Sequence, residues 1–187
     1  MKKLLMACCL LLSVNASALE LAGVNLSDTV QVGTQTLVLN GAGIRTKWFF
    51  KIYIGALYLT KKQSSAEAII ADESGHRVAL HMLHELSGTK LYGAFSEAVE
   101  ANHTAAEIAA LDEQMKQMRQ IFNLVDEVKP GDVITLDYLQ SSGTQIVVNG
   151  TVRGTIAGTA FNRALLKIWL GSKPVQGDLK QAMLGAS

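Results

Sequence analysis

Residues 40–60 read NGAGIRTKWFFKIYIGALYLT. From Trp48 onward the run is rich in aromatic and β-branched residues, which suit a pleated, half-buried surface. Upstream, residues 34–40 (TQTLVLN) are apolar and β-branched and partly alternate at period two. Between the two runs, Gly41-Ala42-Gly43 marks a turn or a bulge. One arginine sits inside this apolar stretch, Arg45, with Tyr53 eight positions on. A guanidinium is costly to bury unless something pairs with it. Arg45 therefore lies in a solvated turn, pairs with a structural carboxylate such as Asp72 or Asp137, or waits for an anion from outside. Tyr53 is either ordinary core packing or a third donor beside that anion.

Working outward, residues 76–86 alternate, with Val78, Leu80 and Met82 on one face and Ala79, His81 and Leu83 on the other. Residues 64–71 suit a short helix. Ser87 is placed to cap a helix over 89–101, along which Leu91, Phe95, Ala98 and Asn102 share a side. Thr104 and Glu107 have the spacing of a capping box. Ile108, Leu111, Met115, Met118, Phe122 and Val125 then recur at spacings of three and four, the stripe of one long helix lying on a sheet. Met115 and Met118 read as core, or as the adaptable lining of a lipid pocket. Lys129-Pro130-Gly131-Asp132 is a turn signature that opens a meander over 133–140, 145–149 and 151–156. Asn149-Gly150 supplies its stronger hairpin turn. Helices over 160–170, ended by Gly171, and over 178–184 close the chain. Strands, helices, strands and helices in that order make an α+β fold, a large antiparallel sheet with a layer of helices on one face.

The first residues stand apart. Met1-Lys2-Lys3 is basic, residues 4–14 are apolar but too short to span a bilayer, and Ala16-Ser17-Ala18 is a small-residue cleavage site. Residues 1–18 are expected to be a secretory signal peptide of bacterial type, and residues 19–187 one domain delivered to the periplasm with no stable membrane span. Cys8 and Cys9, the chain's two cysteines, fall in the removed segment. The exported part is then free of disulfides and depends on its core. Removing Lys2 and Lys3 takes the net charge from +1 to −1. That balance, without a basic run, argues against nucleic acid as a partner.

Motifs that would announce an enzyme are missing. The chain has no G-x-S-x-G, no H-E-x-x-H and no P-loop. His81 and His84 fall on opposite faces of a strand, so no metal and no cofactor are expected. His76 and His103 read as solvated loop residues, Trp48 and Trp169 as core or cleft wall, and Asp112, Glu113, Lys116 and Arg119 as the wet face of the long helix.

Gly41-Ala42-Gly43-Ile44-Arg45 followed by Ile54-Gly55-Ala56-Leu57-Tyr58-Leu59, with Leu86-Ser87-Gly88 and Leu165-Leu166-Lys167-Ile168-Trp169-Leu170-Gly171 later, resembles the chalcone isomerase-like family. The overall pattern looks most like an exported bacterial branch. The resemblance implies an open-faced sandwich of sheet and helices with a ligand cleft between them. The family's isomerases use the hairpin arginine, a threonine on the next strand, a tyrosine and an asparagine on the first helix, and a hydroxyl before the terminal glycine. Here the arginine matches Arg45 and the strand threonine falls on Tyr53. The helix tyrosine matches Tyr92 with a one-residue shift, and Leu91 in strict register. The asparagine falls on Ala98 or Val99, and the last hydroxyl on Ile168.

Three of these five positions thus depart from the isomerase pattern, two of them to hydrocarbon and one to Tyr53, so the polar groups that steer an enone are mostly gone. Arg45 and Tyr53 instead resemble the pair in the family's non-catalytic fatty-acid-binding members. Three functions follow as expectations. One is a binding protein for a small amphipathic, fatty-acid-like ligand held by Arg45, Tyr53 and Tyr92. A second is an isomerase or intramolecular lyase acting on a chalcone-like enone. The third is an accessory protein working through a partner surface.

Overall fold

The computed structural model describes residues 19–186. The expected signal peptide lies outside the described residues. In chain order the elements are β1 (Leu19–Leu21), β2 (Val24–Leu26), β3 (Thr29–Val32), β4 (Gln35–Lys47), β5 (Phe50–Leu59), α1 (Ala66–Ala71), β6 (His76–Met82), β7 (Leu86–Ser87), α2 (Gly88–Ala101), α3 (Ala105–Ala110), α4 (Asp112–Asn123), β8 (Glu127–Val128), β9 (Val133–Leu139), β10 (Gly143–Val148), β11 (Thr151–Ile156), α5 (Thr159–Leu170) and α6 (Gly177–Met183).

Seven strands form one antiparallel sheet in the order β11-β10-β9-β6-β5-β4-β3. The sheet curls. β3 and β9 are separated by three strands, yet a Cβ built on Gly33 would stand 3.0 Å from Leu139 Cδ2. Period-two alternation then divides the apolar residues between two cores. Leu57, Leu59, Val78, Leu80, Met82, Ile134 and Leu136 face the helices and join Phe95, Met115, Met118, Phe122, Phe161 and Trp169. Leu37, Leu39, Ile54, Ala56, Tyr58 and Ala79 face the inside of the curl, where Leu26 and Val32 meet them. The α+β class and the helix-covered sheet are those expected from sequence; the second core inside the curl completes them.

Local chemistry places most elements where the residues put them. Ser87 Oγ accepts from Lys90 N and caps α2, and Thr104 and Glu107 form a full capping box at α3. Asn149 and Gly150 both take positive φ in the β10–β11 turn. Two expectations need correcting. Of the two readings of Gly41-Ala42-Gly43, the turn fails and the bulge holds one residue upstream: β4 runs unbroken from Gln35 to Lys47, with a bulge at Asn40 where the register shifts between Leu39 and Gly41. The reversal comes later, at Trp48-Phe49. The stripe from Ile108 to Val125 is also not one helix. It breaks at Leu111, whose N–H bonds back to Ile108, and continues as α4. Met115 and Met118 are both buried core.

Candidate functional site

Arg45 on β4 and Tyr53 on β5 are direct cross-strand partners, just before a bulge at Ile52. Their register puts them on the helix-covered face, in line with Gly43 and Gly55. Tyr53 is packed against the core, and its Oη accepts a 3.0 Å hydrogen bond from Trp169 Nε1 on α5. Burial pushes the Tyr53 phenol up from its ordinary pKa, opposed by the Trp169 bond and by the Arg45 charge. The half-buried Arg45 donates from Nη1 to Thr46 O at 2.9 Å and to Gln176 Oε1 at 3.2 Å. Gln176 Oε1 also accepts from Thr46 N at 2.8 Å, and Gln176 Nε2 donates to Ile44 O at 3.1 Å. The side chain just before α6 therefore occupies the donors around Arg45 with a neutral amide.

Among the described residues no carboxylate lies within ion-pair distance of Arg45. Both carboxylates that sequence offered as partners are engaged elsewhere. Asp137 takes a forked pair of bonds from Arg77, at 2.5 and 2.6 Å. Asp72 Oδ1 accepts from Ser74 N at 2.9 Å. The solvated-turn reading of Arg45 also fails, because the residue is half-buried and paired with Tyr53 within β4, ahead of the turn.

The glycines around Arg45 seat α6. A Cβ on Gly41 would fall 2.1 Å from Ala182 O, and one on Gly43 would fall 2.7 Å from Ala182 Cβ. Without side chains on β4, α6 lies directly on the strand. Asn40, forced inward by the bulge, donates to Met183 O at 2.8 Å and accepts from Gln63 N at 2.7 Å. The GAGIR run is thus a helix-docking platform that ends in a cation.

Tyr92 belongs to a different cluster. Its ring packs against Phe95 and Phe122, with the Arg119 guanidinium 4.8 Å above it. It lines the contact of α2 with α4, whereas Arg45 and Tyr53 meet α5 and α6. Ala98, Val99 and Ile168, the positions where an isomerase carries polar groups, are buried hydrocarbon. His76 is not a solvated loop residue. It is buried on β6, its ring nitrogens 3.1 Å from Ser74 O and 3.0 Å from Asn162 Oδ1, and desolvation holds its pKa below the ordinary value. Trp169 is core, but Trp48 is exposed at the hairpin tip.

Sequence reasoning missed Gln176 altogether and gave Trp169 no hydrogen-bonding role. Two concavities lie away from these residues. One of about 10 Å³, room for a single water, is lined by Ile69, Asp72, Ser74 and His76 among others. A shallow groove of about 350 Å³ follows the seam between Val32–Gln35 and Leu139–Ser141. Neither is lined by Arg45, Tyr53 or Tyr92. Among the described residues no cluster of three His, Cys, Asp or Glu is placed to hold a metal, and no helix is long and apolar enough to cross a membrane.

No curated protein matches the chain in sequence. Among solved structures, a crystal structure of an Arabidopsis thaliana fatty-acid binding protein superposes with a TM-score of 0.67 at 15% identity, covering 87% of this chain and 92% of that one. At that identity the likeness speaks for the fold. The sequence model of the chalcone isomerase-like family matches residues 18–185, from just before β1 to just past α6, and the chain belongs to that family.

Proposed function

We propose that this protein is a non-catalytic carrier or receptor for a small amphipathic acid, of fatty-acid type, working in the periplasm after loss of residues 1–18. The observation that carries the reading is Arg45. It is a half-buried cation on the helix-covered face, opposite a phenol, and its acceptors are one amide and one carbonyl oxygen. A guanidinium fork matches a carboxylate in geometry and charge better than it matches a neutral amide. Tyr53 Oη already accepts from Trp169, so its own proton is free to point at an incoming oxygen. Each hydrogen bond to a charged head contributes roughly 1.5–3 kcal/mol, and each buried methylene about 0.8 kcal/mol. The tail would lie along the bare glycine strand, parting α6 from Gly41, Gly43 and Gly55. A fatty-acid binding protein that shares the fold supports this class of ligand.

Isomerase chemistry is disfavoured by the buried hydrocarbon at Ala98, Val99 and Ile168. Removing one oxyanion-type donor typically costs roughly 10²–10³-fold in rate, so no chalcone cyclisation above background is expected. Tyr92 is left out of the clamp.

Calorimetry with a long-chain acid and its methyl ester tests the proposal. The acid is expected to bind more tightly by at least about tenfold, the worth of one charge-assisted hydrogen bond. Equal affinity for acid and ester would remove Arg45 from the account. Native mass spectrometry of protein from the periplasmic fraction tests location and ligand together, with Leu19 expected as the first residue. A persistent Met1 on a membrane-bound species would contradict export.

A further inference from the structure

The hairpin that carries Arg45 and Tyr53 ends in three consecutive aromatic residues in water. Trp48 is 86% exposed, Phe49 95% and Phe50 57%. These are the largest apolar groups a chain can display, and elsewhere in this protein aromatic rings are packed into cores. Lys47 and Lys51 flank them, both exposed. No acidic residue occurs between Asp28 and Glu67, so the tip and its stem carry only positive charge. Trp48 also holds a φ of 61°, a left-handed conformation that is an outlier for a bulky residue. Asn or Gly would relieve that strain at no loss of turn geometry, yet the position is given to the least soluble ring. Strain of this kind is retained where a side chain must project.

We infer that the Trp48-Phe49-Phe50 tip docks this protein on the surface of an anionic lipid bilayer. Trp and Phe rings partition into the headgroup and upper acyl region, to a depth of roughly 5–10 Å, while flanking lysines meet the phosphates. A narrow two-stranded tip suits that layer. It suits a protein partner poorly: three such rings offer roughly 500 Å², short of the roughly 800 Å² per partner of a stable interface. Phe50 rests on His84, with ring centroids 5.0 Å apart, which braces the tip from behind. Docking in this orientation puts the Arg45 end of β4 three residues from the lipid. The inference stands on the tip alone and does not require that Arg45 receive a carboxylate.

The test is cosedimentation with phosphatidylcholine vesicles, with and without phosphatidylglycerol. Wild type is compared with Trp48→Asn/Phe49→Ser and with Lys47→Glu/Lys51→Glu, all in the same processed form so that any effect of residues 1–18 cancels. Trp48→Asn/Phe49→Ser is expected to lose roughly tenfold or more of the vesicle binding, with an unchanged or raised melting temperature because the tip touches no core. The lysine double variant is expected to lose the preference for phosphatidylglycerol, and added salt to weaken wild-type binding to anionic vesicles. Brominated acyl chains should quench wild-type emission through Trp48, one of the two tryptophans, and leave the buried Trp169 untouched. Vesicle binding that is absent, or indifferent to the tip, overturns the inference. So does tip-dependent dimerisation in solution without vesicles, which would assign the rings to a second copy of this chain.

Discussion

The sheet contains two arginine–tyrosine cross-strand pairs, one on each face, and they are built to opposite ends. Inside the curl, Arg77 faces Tyr58 on β5 and Asp137 on β9. Its guanidinium fork closes on that carboxylate, with side-chain exposures of 20% and 7%. The Asp137 bonds hold the Arg77 charge more firmly than usual, and burial raises the Tyr58 phenol's pKa. On the helix side, Arg45 faces Tyr53, whose phenol is likewise raised by burial, but here the place of the carboxylate is taken by the amide of Gln176. A buried cation with its anion supplied by the chain is a strut. A cation given only neutral acceptors keeps unspent attraction for an anion from elsewhere.

The largest effect that would sharpen this contrast is on ligand affinity. Arg45→Ala should weaken binding of a long-chain acid by roughly 2–5 kcal/mol, since the ligand's charge would be left unpaired, and leave its methyl ester unaffected. Its melting temperature should shift little, because no ion pair is lost. An Arg45→Ala variant that binds the acid normally, or that fails to fold, would make Arg45 another strut.

The converse substitution is Asp137→Ala. It leaves Arg77 partly buried and unpaired, and should cost about 3 kcal/mol of stability in denaturant melts. Acid binding by the folded fraction should not change. Stability within experimental error of wild type would show that the two arginines do not differ in the way described.

Tyr53→Phe should be milder, about 1 kcal/mol of acid affinity, because one neutral donor is lost. The same change also frees Trp169 Nε1 from its partner. A loss shared equally by acid and ester would therefore point to disturbed packing rather than to a missing hydrogen bond, and parallel titrations separate the two.

Why sequence reaches some of this contrast and not the rest is visible residue by residue. The strands of the hairpin were legible because aromatic and β-branched residues dominate 48–59, and Val78, Leu80 and Met82 fell on the face that their alternation assigns. Arg45 stood out because it was the one arginine in an apolar run. What made it available was not legible: that Asp137 is claimed by Arg77 depends on which strands neighbour β6, a matter of topology. Gln176 comes from 131 positions away and carries no local pattern. The glycine platform left a signal that was read only in part, as a turn or a bulge. Gly41 and Gly43 lie two apart, hence on one face, with Gly55 opposite Gly43, which is the mark of a close approach rather than of a turn. Trp48 was misplaced because hydrophobicity alone puts tryptophan inside. β1 to β3 went unread, being three or four residues each.

The smallest effect tests the comparison most directly, by converting one arginine site into the other. Gln176→Glu places a carboxylate where the amide now accepts from Arg45 Nη1 and Thr46 N, and so reproduces on the helix side the arrangement of Arg77 with Asp137. The new pair is partly exposed, so it should add no more than about 1 kcal/mol of attraction. That is enough to weaken acid binding several-fold by competition for the same guanidinium. Gln176→Ala should act in the opposite sense. It removes the competitor and frees Arg45, at the cost of the bond to Ile44 O that helps to seat α6, a loss of about 1 kcal/mol in stability. The two variants therefore pull acid affinity apart around wild type while the methyl ester stays indifferent to the charge. If Gln176→Glu bound the acid as tightly as wild type does, the guanidinium would not be where the headgroup sits. If both variants lowered affinity for acid and ester alike, Gln176 would matter only as the latch that holds α6 to β4.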